Sequence, residues 1–152
     1  MRSQIAPGEL DDYIGYIAGP TDWLTIDQGR IDAFADCTLD RQFIHVDPET
    51  ARQTPFGSTI AHGFLTLSLL SHFAEQLPIT IAGIRMAVNY GLNRVRFINP
   101  VRVNSRVRAH AKVLEIKEKE PGQFQVTLEM TMEVEGEEKP ALVAEWLVLQ
   151  FS

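Results

Sequence analysis

The sequence lacks most of the residue patterns that build covalent or metal-dependent sites. Cysteine occurs once in 152 residues, at Cys37, so no disulfide can form within the chain, and a cytoplasmic location is the simplest expectation. His62 and His72 are ten residues apart, and there is neither an HExxH motif nor a cysteine pair, so the spacing predicts no metal centre. GxSxG and a glycine-rich phosphate loop are also missing, which argues against a nucleophilic serine triad and a nucleotide loop.

An excess of positive charge and an uninterrupted apolar run are also lacking. The formal net charge is -6, whereas a general nucleic-acid-binding protein needs a basic surface to displace counterions from phosphate. The most apolar stretch, Ile60 to Leu77, is broken by His62, His72 and Glu75 and has no basic flank, so it does not predict a membrane span. The first residues show no basic segment followed by an apolar one, so we expect no signal peptide. Nucleic acid and membrane are therefore not expected as partners.

The stretch from Ile60 to Leu77 is the element around which the rest of the chain is expected to be arranged. Its apolar side chains fall on every side of a helical wheel: Phe64, Leu65, Leu67, Leu69, Leu70, Phe73, Ala74 and Leu77. A helix that is apolar all round must be wrapped by other structure. The sequence therefore predicts a long buried central helix.

The pattern changes from helical to alternating after Pro78. Strands are predicted over residues 85–90 and 93–97, then over 101–117 with a bulge at Leu114, and then over 124–134 with one wet face. The last strand, residues 141–151, is apolar on both faces, which predicts a central or covered position. With 45% hydrophobic residues and no linker, the chain is expected to form one domain over residues 1–152. The fold class is α+β, with a curved antiparallel sheet around the helix.

One part of the chain is locally basic despite the acidic total. Between Gln76 and Leu114 there is no Asp or Glu. The basic residues there are Arg85, Arg94, Arg96, Arg102, Arg106, Arg108 and Lys112. Such a face could hold a small polyanionic ligand, because arginine forks match phosphate oxygens. Alternatively, these side chains pair with the many glutamates of the later strands.

Two short segments could carry acid/base chemistry. Asp40 and His45 lie five residues apart in a polar stretch, and a carboxylate beside an imidazole can share and activate a water molecule. The alternative is that Asp40 caps a turn and that His45 is a core histidine. At Ala61, His62 and Gly63, the first helical N–H groups are suited to a developing oxyanion. His62 could be a second acid/base group. The alternatives here are a packing role for the glycine and a capping role for His62.

Taken together, these segments resemble a known family. Three ordered motifs carry the similarity: DRQFIH from Asp40 to His45, followed by Asp47, Pro48 and Ala51; STIAHGFLTLSLLS from Ser58 to Ser71; and RVRFINPVRVNSRV from Arg94 to Val107. They are similar to the MaoC-like or hydratase 2 family, and most of all to its NodN-like branch. The resemblance covers about residues 23–113 and is more specific than any one motif.

The resemblance implies a hot-dog fold, a helix wrapped by an antiparallel sheet, that dimerises through the sheet. It also implies (R)-specific hydration of trans-2-enoyl-CoA to (3R)-3-hydroxyacyl-CoA, without a metal or redox cofactor. The catalytic acid of the family falls on Asp40, its histidine on His45, its oxyanion glycine on Gly63 and its supporting serine on Ser71. A homodimer acting on an acyl-CoA is therefore expected.

Other residues carry weaker expectations. The family has D-x-N-P-x-H where this chain has DRQFIH, so Gln42 replaces the asparagine and is expected to orient a water or a neighbouring loop. His62 is expected near the substrate, and Arg94 and Arg96 are expected to meet the CoA phosphates. Two alternatives remain: an acyl-CoA thioesterase on the same fold, which the retained His45 disfavours, and a noncatalytic acyl-binding module.

Overall fold

The computed structural model of the chain describes residues 4–152. Within these residues, the strands form one antiparallel sheet in the order β1-β4-β5-β6-β3, and β2 also pairs with β4. The strands are β1 (Ile17–Ala18), β2 (Leu24–Thr25), β3 (Met86–Phe97), β4 (Arg106–Glu120), β5 (Gln123–Val134) and β6 (Leu142–Phe151). This sheet carries one face of the core and confirms the predicted α+β class.

The helices of the described chain are short. A 3-10 helix spans Pro7–Tyr13, and the α-helices are α1 (Gln28–Thr38), α2 (Phe43–Val46), α3 (Pro48–Ala51), α4 (Gly63–Ser68) and α5 (Leu70–Ala74). Helix α1 begins after Asp27, whose side chain accepts a hydrogen bond from the Arg30 N–H and so caps the first turn. No helix within residues 4–152 has both the length and the apolarity needed to cross a membrane.

The central helix differs from its prediction in length and in exposure. It begins at Gly63, and a turn at Leu69 divides it into α4 and α5. Residues Ile60 and Ala61 stay extended because they pair with Arg102 and Val101 instead. Leu65, Leu70 and Phe73 are buried against the sheet, as expected. Phe64, however, is 68% exposed, so the prediction of a helix wrapped on all sides is wrong for the single chain.

The strand patterns agree better with the sequence. The inward side chains of β4 and β5 form the sheet half of the core: Val107, Ala109, Ala111, Val113, Val126, Leu128, Met130 and Met132. The predicted bulge in β4 is confirmed between Val113 and Glu115. Strand β6 lies between β5 and β3, which confirms the central position expected from its two apolar faces. The two strands predicted before Asn99 are one strand, β3, with register shifts near Gly91.

Candidate active site

The segment between α1 and α4 brings three of the singled-out side chains together. Asp40 follows the end of α1, His45 lies on the single turn of α2, and His62 is the N-cap residue of α4. One ionisable atom from each of the three lies within 4.8 Å of the other two. In the polar stretch around Asp40 and His45, α2 is a single helical turn that carries the His45 side chain.

His45 is held in a defined tautomer. Its ring is 6% exposed, and Nδ1 donates a hydrogen bond to the Ile60 carbonyl at 2.7 Å, because a carbonyl oxygen can only accept. Nε2 is therefore the acceptor nitrogen. Burial lowers the pKa of His45 below 6.5; the Ile60 carbonyl opposes this, His62 lowers the pKa further, and Asp40 raises it. The His45 imidazole therefore stays neutral down to a lower pH than usual, and a neutral imidazole can accept a proton.

His62 lies directly against His45. The two rings are stacked with centroids 3.8 Å apart and 23° between their planes, and Phe34 covers His62 at 4.9 Å. His62 is 3% exposed, and its Nε2 donates a hydrogen bond to the Asp40 carbonyl at 2.9 Å. Its Nδ1 is buried and has no hydrogen-bond partner within the described chain.

Asp40 is the accessible member of the cluster. It is exposed, and its carboxylate accepts only a long contact, 3.4 Å, from the Gln42 N–H within the described chain. Gln42 precedes α2, and its carbonyl accepts the His45 N–H at 2.9 Å, while its side chain is exposed. The carboxylate is therefore free to meet a ligand from solvent, next to a buried imidazole.

The position of Gly63 is compatible with both of its predicted roles, as the donor of an N–H to an oxyanion and as a small residue for packing. It is the first residue of α4, so its N–H has no acceptor within the helix. It lines a cavity of about 290 Å³ together with Ile60, Phe97 and Pro100. A Cβ at Gly63 would lie 3.1 Å from the Phe97 ring, which is closer than ordinary contact. The glycine thus allows the sheet to approach the helix and leaves an N–H beside the cavity.

Ser71 lies apart from this cluster. It is exposed on α5, eight residues after Gly63 and beyond the turn at Leu69. It lines a different cavity, of about 280 Å³, with Asn89 and Trp146. The structure therefore brings Asp40, His45 and His62 together, with Gly63 next in the chain, whereas Ser71 lines a separate cavity, and its predicted role remains a prediction.

The basic residues separate into two groups. Arg106 and Arg108 pair with Glu135 and Glu133 on the neighbouring strand, as the alternative of internal pairing expected. Arg94 and Arg96 form no ion pair within residues 4–152. They line a groove of about 490 Å³ that also contains Phe97, Ile98, Glu129, Val143 and Glu145.

The possible ligand atoms of Asp40, His45 and His62 are not arranged to bind one metal ion. A metal lies near the plane of each imidazole that binds it, along the lone pair of the ligating nitrogen. Two rings stacked 3.8 Å apart and tilted by only 23° direct their lone pairs past each other rather than to one point.

Sequence analysis missed two residues that hold this cluster. The Gln28 side chain donates to the His45 carbonyl at 2.7 Å and accepts from the Thr59 hydroxyl at 2.5 Å, which ties α1 to the segment before α4. Phe34 covers the His62 ring. Both residues lie on α1, where spacing gives no signal that a helix face will contact residues 17 to 31 positions away.

A curved antiparallel sheet over a short central helix defines a hot-dog domain, and here a carboxylate and two imidazoles lie together at the start of that helix. The model of the MaoC like domain matches residues 14–135. The chain belongs to this MaoC-like dehydratase family.

Relatives and solved structures agree with the family. The chain is 48% identical to 3-hydroxyacyl-thioester dehydratase Z of Mycobacterium tuberculosis, over 97% of each chain. It is 45% identical to nodulation protein N of Rhizobium leguminosarum, over 97% of this chain and 93% of that protein. Among solved structures, the (R)-hydratase from A. caviae involved in PHA biosynthesis has a TM-score of 0.69 at 28% identity, covering 89% of this chain and 94% of that one. The resemblance to the MaoC-like and NodN-like proteins is confirmed.

Proposed function

We propose that this protein catalyses the reversible, (R)-specific hydration of trans-2-enoyl-CoA to (3R)-3-hydroxyacyl-CoA. The observation that carries the proposal is the convergence of Asp40 and His45 within 4.8 Å beside the first turn of α4. A carboxylate open to solvent and an imidazole with a free acceptor nitrogen are the two groups needed to bind and deprotonate one water molecule. The names of the relatives, dehydratases and an (R)-hydratase, support the same reaction class.

In the proposed reaction, each of these groups has one role. Asp40 and His45 hold a water molecule and remove one of its protons as its oxygen bonds to C3 of the enoyl group. The electron pair of the C2–C3 double bond moves toward the thioester carbonyl, whose oxygen gains negative charge. The Gly63 N–H donates to that oxygen, at the positive end of the helix. The Asp40 and His45 pair then delivers a proton to C2 from the same face, which completes the addition and returns the pair to its initial protonation state, and the reverse sequence is the dehydration.

We also propose that the active protein is a homodimer joined along β3. This strand forms one edge of the described sheet, so one side of its backbone N–H and C=O groups is unpaired. Large apolar side chains on and beside the strand are exposed: Met86, Val88, Tyr90, Leu92, Phe97 and Phe64. A second copy of β3 would pair the backbone and cover these side chains.

The remaining assignments complete the proposal. Arg94 and Arg96, without ion-pair partners in the described chain, would bind the phosphates of CoA at the groove they line. Gln42 would orient a water beside Asp40, and Ser71 would contact the far part of the substrate from α5. The reaction is proposed to need no metal or redox cofactor and to take place in the cytoplasm.

The decisive experiment follows the loss of the enoyl-thioester absorbance band with crotonyl-CoA and with a longer enoyl-CoA. Asp40→Asn keeps the size of the side chain and removes its charge and basicity. We expect this variant to lose activity by at least about 100-fold. Asp12→Asn, the same change in the exposed N-terminal 3-10 helix, is the matched control and should retain wild-type activity. Chiral analysis of the product should give the (3R) alcohol.

Other outcomes would assign the site differently. Release of free CoA from a saturated acyl-CoA by the wild type would indicate a thioesterase. Binding of a saturated acyl-CoA without any turnover would indicate a noncatalytic acyl-binding module. Activity of Asp40→Asn equal to that of the wild type would refute the assigned role of Asp40.

A further inference from the structure

His62 touches three parts of the proposed site at once. Its Nε2–H donates to the Asp40 main-chain carbonyl at 2.9 Å, and its ring face stacks on His45 at 3.8 Å. The next residue in the chain is Gly63. A single side chain thus links the acid, the imidazole and the helix terminus of the proposed site, although its own ring does not reach the solvent.

The way in which His62 is buried is unfavourable for stability. Its Nδ1 is enclosed and lacks a hydrogen-bond partner within the described chain. A buried nitrogen left unpaired is rare in native proteins, because it loses its bond to water and gains none in return. An apolar ring at this place would avoid the loss. The contribution of the imidazole at this position is therefore the hydrogen bond that Nε2 makes. Locally unfavourable features such as an unpaired buried nitrogen concentrate at functional sites.

Asp40 itself has few other hydrogen bonds within the described chain, although Gln28 and Ile60 hold the α2 turn that follows it. It follows Leu39, which ends α1 in the left-handed region at φ 66°, and it precedes the single turn of α2. The nearby ion pair between Arg41 and Asp36 is exposed on both sides, so it restrains the segment weakly. The bond from His62 is thus a buried tie from the Asp40 main chain to α4.

We propose that His62 is a positioning residue of the dehydratase site. Its Nε2–H fixes the Asp40 main chain, so that the acid stays in register with His45 and with the Gly63 N–H; the stacking of its ring on His45 is the smaller contribution. This inference rests on the proposed function and deepens it. His62 itself transfers no proton in this assignment.

Two substitutions separate the donor from the ring. His62→Phe keeps a flat ring for stacking and removes the donor, whereas His62→Gln removes the ring and places an amide N–H where Nε2–H was. We expect kcat of His62→Phe to fall about 100-fold with KM changed less than about threefold, because a misplacement of about 1 Å costs that much in a positioned reaction. His62→Gln should keep kcat within about 10-fold of the wild type.

Further variants distinguish loss of the hydrogen bond from a folding defect. His62→Asn has the same polarity as His62→Gln, but its shorter amide cannot reach the Asp40 carbonyl, so it should behave like His62→Phe. His72 is exposed on α5, and His72→Phe and His72→Gln provide the matched control, with wild-type kcat expected for both. Equal losses in His62→Gln and His62→Asn would overturn the proposal, since reach would then be irrelevant.

Hydrogen exchange provides a measure that does not depend on turnover. Loss of the tie should speed amide exchange over residues 39–46 in His62→Phe and His62→Asn, and not in His62→Gln. Unchanged exchange in all three variants would refute the tie even if activity fell. If the wild type were inactive on every enoyl-CoA, the proposed function would fail, and the exchange result would still decide whether His62 holds the Asp40 segment.

Discussion

Replacing Gly63 by alanine separates the two roles that its position allows. The added Cβ would lie 3.1 Å from two ring carbons of Phe97, a few tenths of an ångström inside ordinary contact. Phe97 is 48% exposed, so its ring can move outward at a cost of about 1 kcal/mol, the low end for overpacking. Alanine is favoured over glycine by up to about 1 kcal/mol, the value for a helix interior, and this offsets part of the cost at the first helical position. We therefore expect the melting temperature to stay within about 4 °C of the wild type.

The effect on activity should be much larger than the effect on stability. The new methyl group lies at the mouth of the cavity beside the Gly63 N–H and would keep a thioester oxygen away from it. Loss of one oxyanion donor lowers kcat by about 100- to 1000-fold. Enoyl-CoA absorbance assays and thermal melts on the same preparation test both parts. Gly29→Ala, the same change in the first turn of α1 with only an ordinary contact at 3.6 Å, is the matched control.

A double variant identifies the cause of any loss. Gly63→Ala combined with Phe97→Leu relieves the contact with the ring but leaves the methyl group beside the N–H. If the oxyanion role is correct, the double variant stays inactive, apart from whatever Phe97→Leu does alone. Recovery of activity in the double variant would mean that the glycine serves helix-to-sheet packing. Wild-type kcat in Gly63→Ala would refute the approach of the thioester to this helix terminus.

Three further predictions address the imidazole, the arginines and the dimer. Burial lowers the pKa of His45 in the folded chain, so the unfolded chain binds a proton at His45 at a higher pH than the folded chain does. The free energy of unfolding should therefore fall as pH drops below 6.5. The free energy of unfolding, measured with urea, should change more steeply with pH in the wild type than in His45→Gln, by at most about 1.4 kcal/mol per pH unit. Equal slopes in the two proteins would contradict the prediction. Arg96→Ala should raise KM for an enoyl-CoA about fivefold and leave KM for the phosphate-free pantetheine thioester unchanged. Arg106→Ala is the control and should change neither KM, because Arg106 is already paired with a glutamate. Tyr90→Glu on β3 should convert the dimer to a monomer in sedimentation, while Ile17→Glu at the opposite sheet edge should not; dissociation by both or by neither would refute the β3 interface.

Local patterns predicted the sheet better than the central helix. The alternation in β5 and the phase change in β4 depend on neighbouring residues only, because strand side chains alternate with period two. The start of α4 depends on a distant segment: Ala61 gives its N–H to the Val101 carbonyl, and this pairing holds the chain extended up to His62. Apolar periodicity likewise could not tell a face covered by the same chain from one left open, as at Phe64.

By itself, the sequence determined the class of fold and the family, because each depends on residue types in ordered patterns along the chain, such as the motif from Asp40 to His45. Only the tertiary structure decided how these residues are held. The tautomer of His45, the stack with His62 and the bond from His62 to the Asp40 carbonyl join residues 15 to 22 positions apart in the chain. No spacing rule links such residues, since ring orientation and burial are set by the packing of α1, α2 and α4 together. Burial in turn set the direction of the His45 pKa, which composition alone leaves at its ordinary value.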